Sequence, residues 1–276
     1  LLQCFFLGFV VNAVAQISIP FTIRYQNTVK GDMIVVGNTV LGTTKTGNFD
    51  DQNVSNGQVN QVYVDIDNDP TTFNSSSANV KDPNPGGACP RTVKKAFLYW
   101  AAVGLNNTAA SKKVKFKVDN GNYQEITATN ILTATDAYVY VADITDKLTN
   151  VKGTYTVANI QAPIGVSSGY AGGWTLFIVY EDTSKPARNI TLFDGFEIIY
   201  PGNQPPINIT GFTTVPAPLP VNAKVAFAAM EGDAALVGDG LRIRTNKTAP
   251  NEVNLRPKDR EGAAGIDNFF NSTITD

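Results

Sequence analysis

The chain contains no histidine, and only two cysteines and two tryptophans among its 276 residues. Without imidazole there is no Ser-His-Asp triad, no Cys-His dyad and no histidine-bound zinc or iron centre, which removes much of hydrolase and metalloenzyme chemistry. Charged side chains are also scarce, at 17%, and nearly balanced, with 22 Lys and Arg against 24 Asp and Glu. No basic patch marks a nucleic-acid surface, so no nucleic-acid partner is expected. Gly-rich loops of the P-loop or dinucleotide type are missing as well. A glycosidase needs only two carboxylates and survives this elimination, but no spacing singles out such a pair.

Long apolar runs are equally scarce. The one that stands out is LLQCFFLGFVVNAVAQ, the first sixteen residues, which closes on the small-x-small site Ala13-Val14-Ala15 before Gln16. It has the form of the h-region and cleavage site of a secretory signal peptide, residues 1–15. No initiator Met or basic n-region precedes it, so the chain is expected to begin inside the signal. Cys4 comes before the apolar region instead of after it, the wrong order for a lipoprotein cysteine. Cleavage would leave Cys89 as the remaining thiol, either free or paired beyond this chain. No later segment approaches the ~20 apolar residues needed to span a bilayer, so residues 16–276 are expected to form a soluble exported module.

What the chain does have is Gly, Thr, Asn and Pro in short punctuated runs, the look of a surface-exposed all-β protein. The clearest strand is KVKFKV, Lys113 to Val118, with Val114, Phe116 and Val118 on one face and three lysines on the other. Such a period of two predicts a sheet with one wet face. Further strands are expected at Phe21–Tyr25, Asp32–Val36, Tyr138–Val141, Tyr155–Ala158, Ile190–Phe193 and Val225–Ala229. Asp119-Asn120-Gly121-Asn122 reads as a hairpin turn, and Ile144 to Asn150 as one or two helical turns capped near Thr145. Two runs, Ala96–Val103 (AFLYWAAV) and Trp174–Tyr180 (WTLFIVY), are apolar on both faces; the second would be ~23 Å long as a strand. They predict central strands covered on both sides, in a β-sandwich or jelly roll with extra loops packed on one outer face and little helix. Gly172 and Gly173, just before the second run, predict a bulge or a close backbone approach.

Long polar loops are expected at Lys45–Asn60, Thr71–Pro90 and Pro201–Val221, the last with six prolines. The Pro-rich segment is read as a stiff crossover within one sandwich; the alternative is two subdomains divided near 201–221.

The strongest chemical pattern is VDIDNDP, which sets Asp65, Asp67 and Asp69 at alternate positions. Hard oxygens at positions one, three and five are how a calcium loop begins to wrap its ion. Pro70 at the turn position and Ser76 at the twelfth rule out an EF-hand, leaving either another kind of calcium loop or a solvated loop rich in Asx turns. Glu231, Asp233 and Asp239 form a weaker candidate metal group, and Glu181 and Asp182 a weaker one again. Tyr99, Trp100, Tyr170 and Trp174 suggest a sugar-stacking platform, but each adjoins or lies in a doubly apolar strand and is expected in the core.

Taken in order, GDMIVVGNTVLG (Gly31–Gly42), YVDIDNDPTTFNSSSA (Tyr63–Ala78), VKKAFLYWAA (Val93–Ala102), YAGGWTLFIVYED (Tyr170–Asp182), RNITLFDGF (Arg188–Phe196) and AAMEGDAALVGD (Ala228–Asp239) resemble the N-terminal region of very large cell-surface proteins of Bacteroidota, the SprB-like gliding-motility adhesins and their relatives. The resemblance runs over most of the chain after the signal. It implies Sec export, passage through the outer membrane by the type 9 secretion machinery, and display outside the cell, with no catalytic residue. It further implies a fragment of a longer protein, since the repeats and C-terminal sorting domain of such proteins do not follow Asp276. The expected role is a non-enzymatic module that contacts an extracellular surface or glycan, or braces downstream domains of the same chain. A carbohydrate-binding or carbohydrate-active extracellular domain is the alternative.

Overall fold

The computed structural model describes residues 19–45, 56–87, 91–199, 206–212, 214–216, 219–230, 232–233, 236–244, 252–256 and 268–270. The expected signal peptide and Cys89 lie outside them. In chain order the strands are β1 (Ile19–Thr39), β2 (Leu41–Gly42), β3 (Val62–Tyr63), β4 (Ser75–Val80), β5 (Thr92–Val103), β6 (Lys113–Val118) and β7 (Gln124–Thr127). They continue as β8 (Asn130–Ala134), β9 (Ala137–Asp143), β10 (Gly153–Ala158), β11 (Ala171–Glu181), β12 (Ala187–Phe196), β13 (Arg242–Arg244) and β14 (Glu252–Asn254). Two short 3-10 turns, Asn56–Gln58 and Thr145–Lys147, are the helical elements among the described residues. The second matches the helical turn expected there, except that its anchor is the Asp143 carboxylate, which accepts from the Thr145 amide and hydroxyl.

The fold is all-β and sandwich-like, as the alternating patterns require. A six-stranded antiparallel sheet in the order β12-β1-β11-β5-β9-β8 faces a four-stranded sheet in the order β4-β10-β6-β7. Even-numbered residues of β5 and β11, among them Leu98, Trp100, Trp174, Leu176 and Ile178, point into the space between the sheets, where Val114, Phe116, Tyr155 and Val157 meet them. Trp174, Trp100 and Tyr140 sit side by side in register across β11, β5 and β9. Each indole N–H also needs an acceptor once buried. Trp174 donates to the Ser76 hydroxyl of β4 and Trp100 to the Ser111 carbonyl just before β6, both at 2.9 Å. The two tryptophans thus bolt one sheet to the other.

Odd-numbered residues of the same strands, including Phe97, Tyr99, Phe177 and Val179, are buried too, on the opposite face. Their cover is not a set of loops, as expected, but a β-ribbon. β1 runs as one 21-residue strand where two were expected. Its first half pairs with β12 and its second half with β11, the change of partner falling between Lys30 and Gly31. The ribbon brings Tyr25, Val29, Ile190 and Leu192 over the outer face, and the sheet curls until β12 lies against β8 at its other edge. Gly31 is required at the switch: a Cβ there would stand 1.9 Å from the Tyr180 carbonyl oxygen. Gly172 and Gly173 serve close approach, not a bulge. The β5–β11 register runs unbroken past them, and a Cβ on Gly173 would come within 2.6 Å of the Asn38 carbonyl.

Two further expectations fail. Thr71–Pro90 is not one loop, because Ser75–Val80 forms strand β4, pairing with β10 from Ser75↔Ala158 to Val80↔Gly153. Val225–Ala229 is not a strand: it is exposed along its length and pairs with no strand among the described residues. The described part of the preceding Pro-rich segment runs along the outside of the ribbon, where Gln26 donates to the Gly211 carbonyl at 2.9 Å and Phe193 meets Phe212 edge-on. An alternating pattern becomes a strand only where a neighbouring edge is in reach, and among the described residues this segment joins none, its Phe227 meeting Phe269 edge-on instead.

Candidate functional site

The loop between β3 and β4 carries Asp65, Asp67 and Asp69. The chain leaves β3 with the Val64 amide bonded to the Val40 carbonyl, and returns with the Ser75 amide bonded to the Val64 carbonyl. The Ser75 hydroxyl, 3.0 Å from one oxygen each of Asp65 and Asp67, stands between the two carboxylates and also accepts the Ile66 amide. The other Asp67 oxygen accepts Lys117 Nζ at 2.5 Å and the Tyr123 hydroxyl at 2.6 Å. Lys117 Nζ lies 4.3 Å from the centre of the Tyr123 ring, adding a cation–π contact. Asp69 makes its side-chain bonds elsewhere: one of its oxygens accepts the Thr71 amide and hydroxyl at 2.8 and 2.6 Å, an Asx turn that carries the chain past Pro70. Lys115 then ties the turn down through the Thr71 carbonyl and hydroxyl.

The electrostatics follow from these contacts. Partial burial works against the Asp67 charge, but hydrogen bonds from Lys117, Tyr123 and Ser75, with the lysine's charge, outweigh it and lower its pKa to about 2. Burial, reinforced by the bond to Asp67, pushes the Tyr123 phenol far above its ordinary value. Asp69 is held below the usual carboxylate range by its bonds to Thr71. The wet, lysine-bearing face of β6 is therefore put to use: Lys115 and Lys117 clamp the acidic loop.

Among the described residues, no three Asp, Glu, Cys or His side chains converge as metal ligands. The Lys117 ammonium takes the place of a cation at one Asp67 oxygen, while Asp65 and the other Asp67 oxygen meet the Ser75 hydroxyl. Of the weaker acidic group, Glu231 lies outside the described residues, and Asp239 accepts the Phe270 amide at 3.0 Å. The Asp233 carbonyl accepts the Leu236 amide. Asp182 is wholly buried at the end of β11, where the Ser184 hydroxyl and amide, Asn84 and the Arg91 guanidinium surround it and keep it below its ordinary pKa. Its neighbour Glu181 pairs with Lys94 at the surface.

Trp100 and Trp174 are 0% and 2% exposed, and Tyr99 is buried with its hydroxyl on Asp194, so none of the three offers a stacking face. Sequence reasoning missed a further pairing: Asp194 of β12 accepts Arg24 of β1 at 2.6 Å as well as the Tyr99 hydroxyl, which pins the ribbon to the face it covers. Nothing in the local pattern of DGF marked it.

The motif stretches Gly31–Gly42, Val93–Ala102, Tyr170–Asp182 and Arg188–Phe196 fall on β1, β5, β11 and β12, neighbours in one sheet. Tyr63–Ala78 spans the clamped loop and β4. Compared with known proteins, the chain matches no family model, no curated protein and no solved structure.

Proposed function

We propose that this chain is a non-enzymatic module of a secreted cell-surface adhesin of the gliding-motility type, exported and then delivered through the outer membrane by the type 9 secretion machinery. Its task is to engage an extracellular surface or polysaccharide. The observation that supports this reading is the frame itself: the stretches that carry the resemblance supply the central strands of the larger sheet and the acidic loop that Lys117 clamps, a rigid scaffold on which a binding surface can be held.

The test is adhesion in a flow chamber by cells producing the whole protein or one lacking residues 19–199. Loss of attachment on deletion, with surface display intact, supports the reading. Normal attachment, together with no retention of the purified chain on glass or polysaccharide, refutes it.

A further inference from the structure

A cleft of about 330 Å3 opens between the end of β4, the β6–β7 turn and the loop before β10. Its frame is fixed by backbone. Asp119, in the left-handed region at φ 50°, donates its amide to the Thr154 carbonyl at 2.7 Å, and one of its carboxylate oxygens accepts the Thr154 amide at 2.8 Å. Asn79 reaches across to the Thr154 hydroxyl.

The polar groups of the lining are only half used. The second Asp119 oxygen accepts no hydrogen bond from the described residues. Asp82 likewise spends one oxygen, on the Asn84 amide and Arg91, and keeps the other open. Lys81, Asn150 and Lys152 line the cleft, and their side chains have no partner among the described residues. Two lysines and two aspartates leave the lining formally neutral, which favours no ligand of strong charge. Open acceptors and open donors in one lining match a chain of hydroxyl groups, each of which both donates and accepts.

We propose that this cleft binds a neutral, polyhydroxylated saccharide segment, which assigns a ligand class and a site to the adhesion reading on which it rests. The space is at the small end of ligand sites, and no aromatic side chain among the described residues lines it, so recognition runs through hydroxyl groups without ring stacking. Single-site affinity is therefore weak, and strength comes from many copies acting together on one polymer.

The experiment is amide chemical-shift mapping of the purified chain with maltohexaose, cellohexaose and hexagalacturonate, each at about 10 mM, above a millimolar dissociation constant. The expected result is movement of the Asp119, Lys152 and Thr154 signals with a neutral hexamer and weaker binding of the charged one. Lys152→Ala and Asn150→Ala, both at exposed positions, are expected to weaken binding about fivefold or more with unchanged melting temperature. Absence of movement with either neutral hexamer, undiminished binding by both variants, or tighter binding of hexagalacturonate overturns the proposal. Failure here while deletion of the module abolishes attachment removes the cleft alone. Saccharide binding that both variants lose, with cell attachment unchanged, removes its adhesive role instead.

Discussion

Replacing Asp67 by Asn keeps the side chain's shape but removes the charge that Lys117 and Tyr123 surround. The expected cost follows from the titration of the group. Its pKa falls from 3.8 to about 2 on folding, nearly two pH units at ~1.4 kcal/mol each, so about 2 kcal/mol depends on its ionisation. Both side chains are less than one-fifth exposed, at 19% for Asp67 and 18% for Lys117, so solvent screening removes little of this. Because the folded-state pKa is depressed, the contribution is complete above pH ~4 and is lost as pH falls through about 2. Urea unfolding of wild type and Asp67→Asn at a series of pH values should show a gap of about 2 kcal/mol at pH 7, equivalent to ~4–8 °C in melting temperature. That gap should close as pH approaches 2. Lys117→Met in the Asp67→Asn background should recover part of the loss, since the double variant no longer leaves an ammonium half-buried without its partner. A gap that stays constant from pH 7 to pH 2, or no gap at all, would refute the assignment of Asp67 as a charge-pairing residue.

Two further outcomes test the framework. Trp174→Phe keeps a ring in the core but deprives the Ser76 hydroxyl of its donor, so a loss of about 1–3 kcal/mol is expected in urea unfolding; in wild type both indoles should resist acrylamide quenching, and ready quenching would contradict their place between the sheets. Removing divalent cations with EDTA should leave the melting temperature unchanged, whereas a rise of several degrees on adding millimolar calcium would show that an ion, and not Lys117, completes the Asp67 site.

Much of the core could be read in advance because burial follows from properties each residue carries. The alternation at Lys113–Val118 put Val114 and Phe116 inward, and the doubly apolar runs at Ala96–Val103 and Trp174–Tyr180 became the central strands β5 and β11. Strand β4 escaped notice because its sequence, SSSANV, has the composition of a loop. Its serines are satisfied only by distant groups: Ser75 by the acidic loop, Ser76 by Trp174, and the Ser77 carbonyl by Asn38. Val225–Ala229 failed in the opposite direction, with a strand's pattern but no pairing among the described residues. The acidic triplet was recognised as special, while its meaning rested on Lys117 and Tyr123, 50 and 56 positions away.

The sequence by itself therefore determined the class of fold, the central strands and the chemistry that an absent imidazole forbids, because side-chain polarity and its period act locally. Only the tertiary structure decided that β1 changes partners at Gly31, that a ribbon covers the outer face, and that Asp67 meets an ammonium. Strand pairing and charge pairing join residues far apart in the chain, and a local pattern states which way a side chain faces without naming its neighbour.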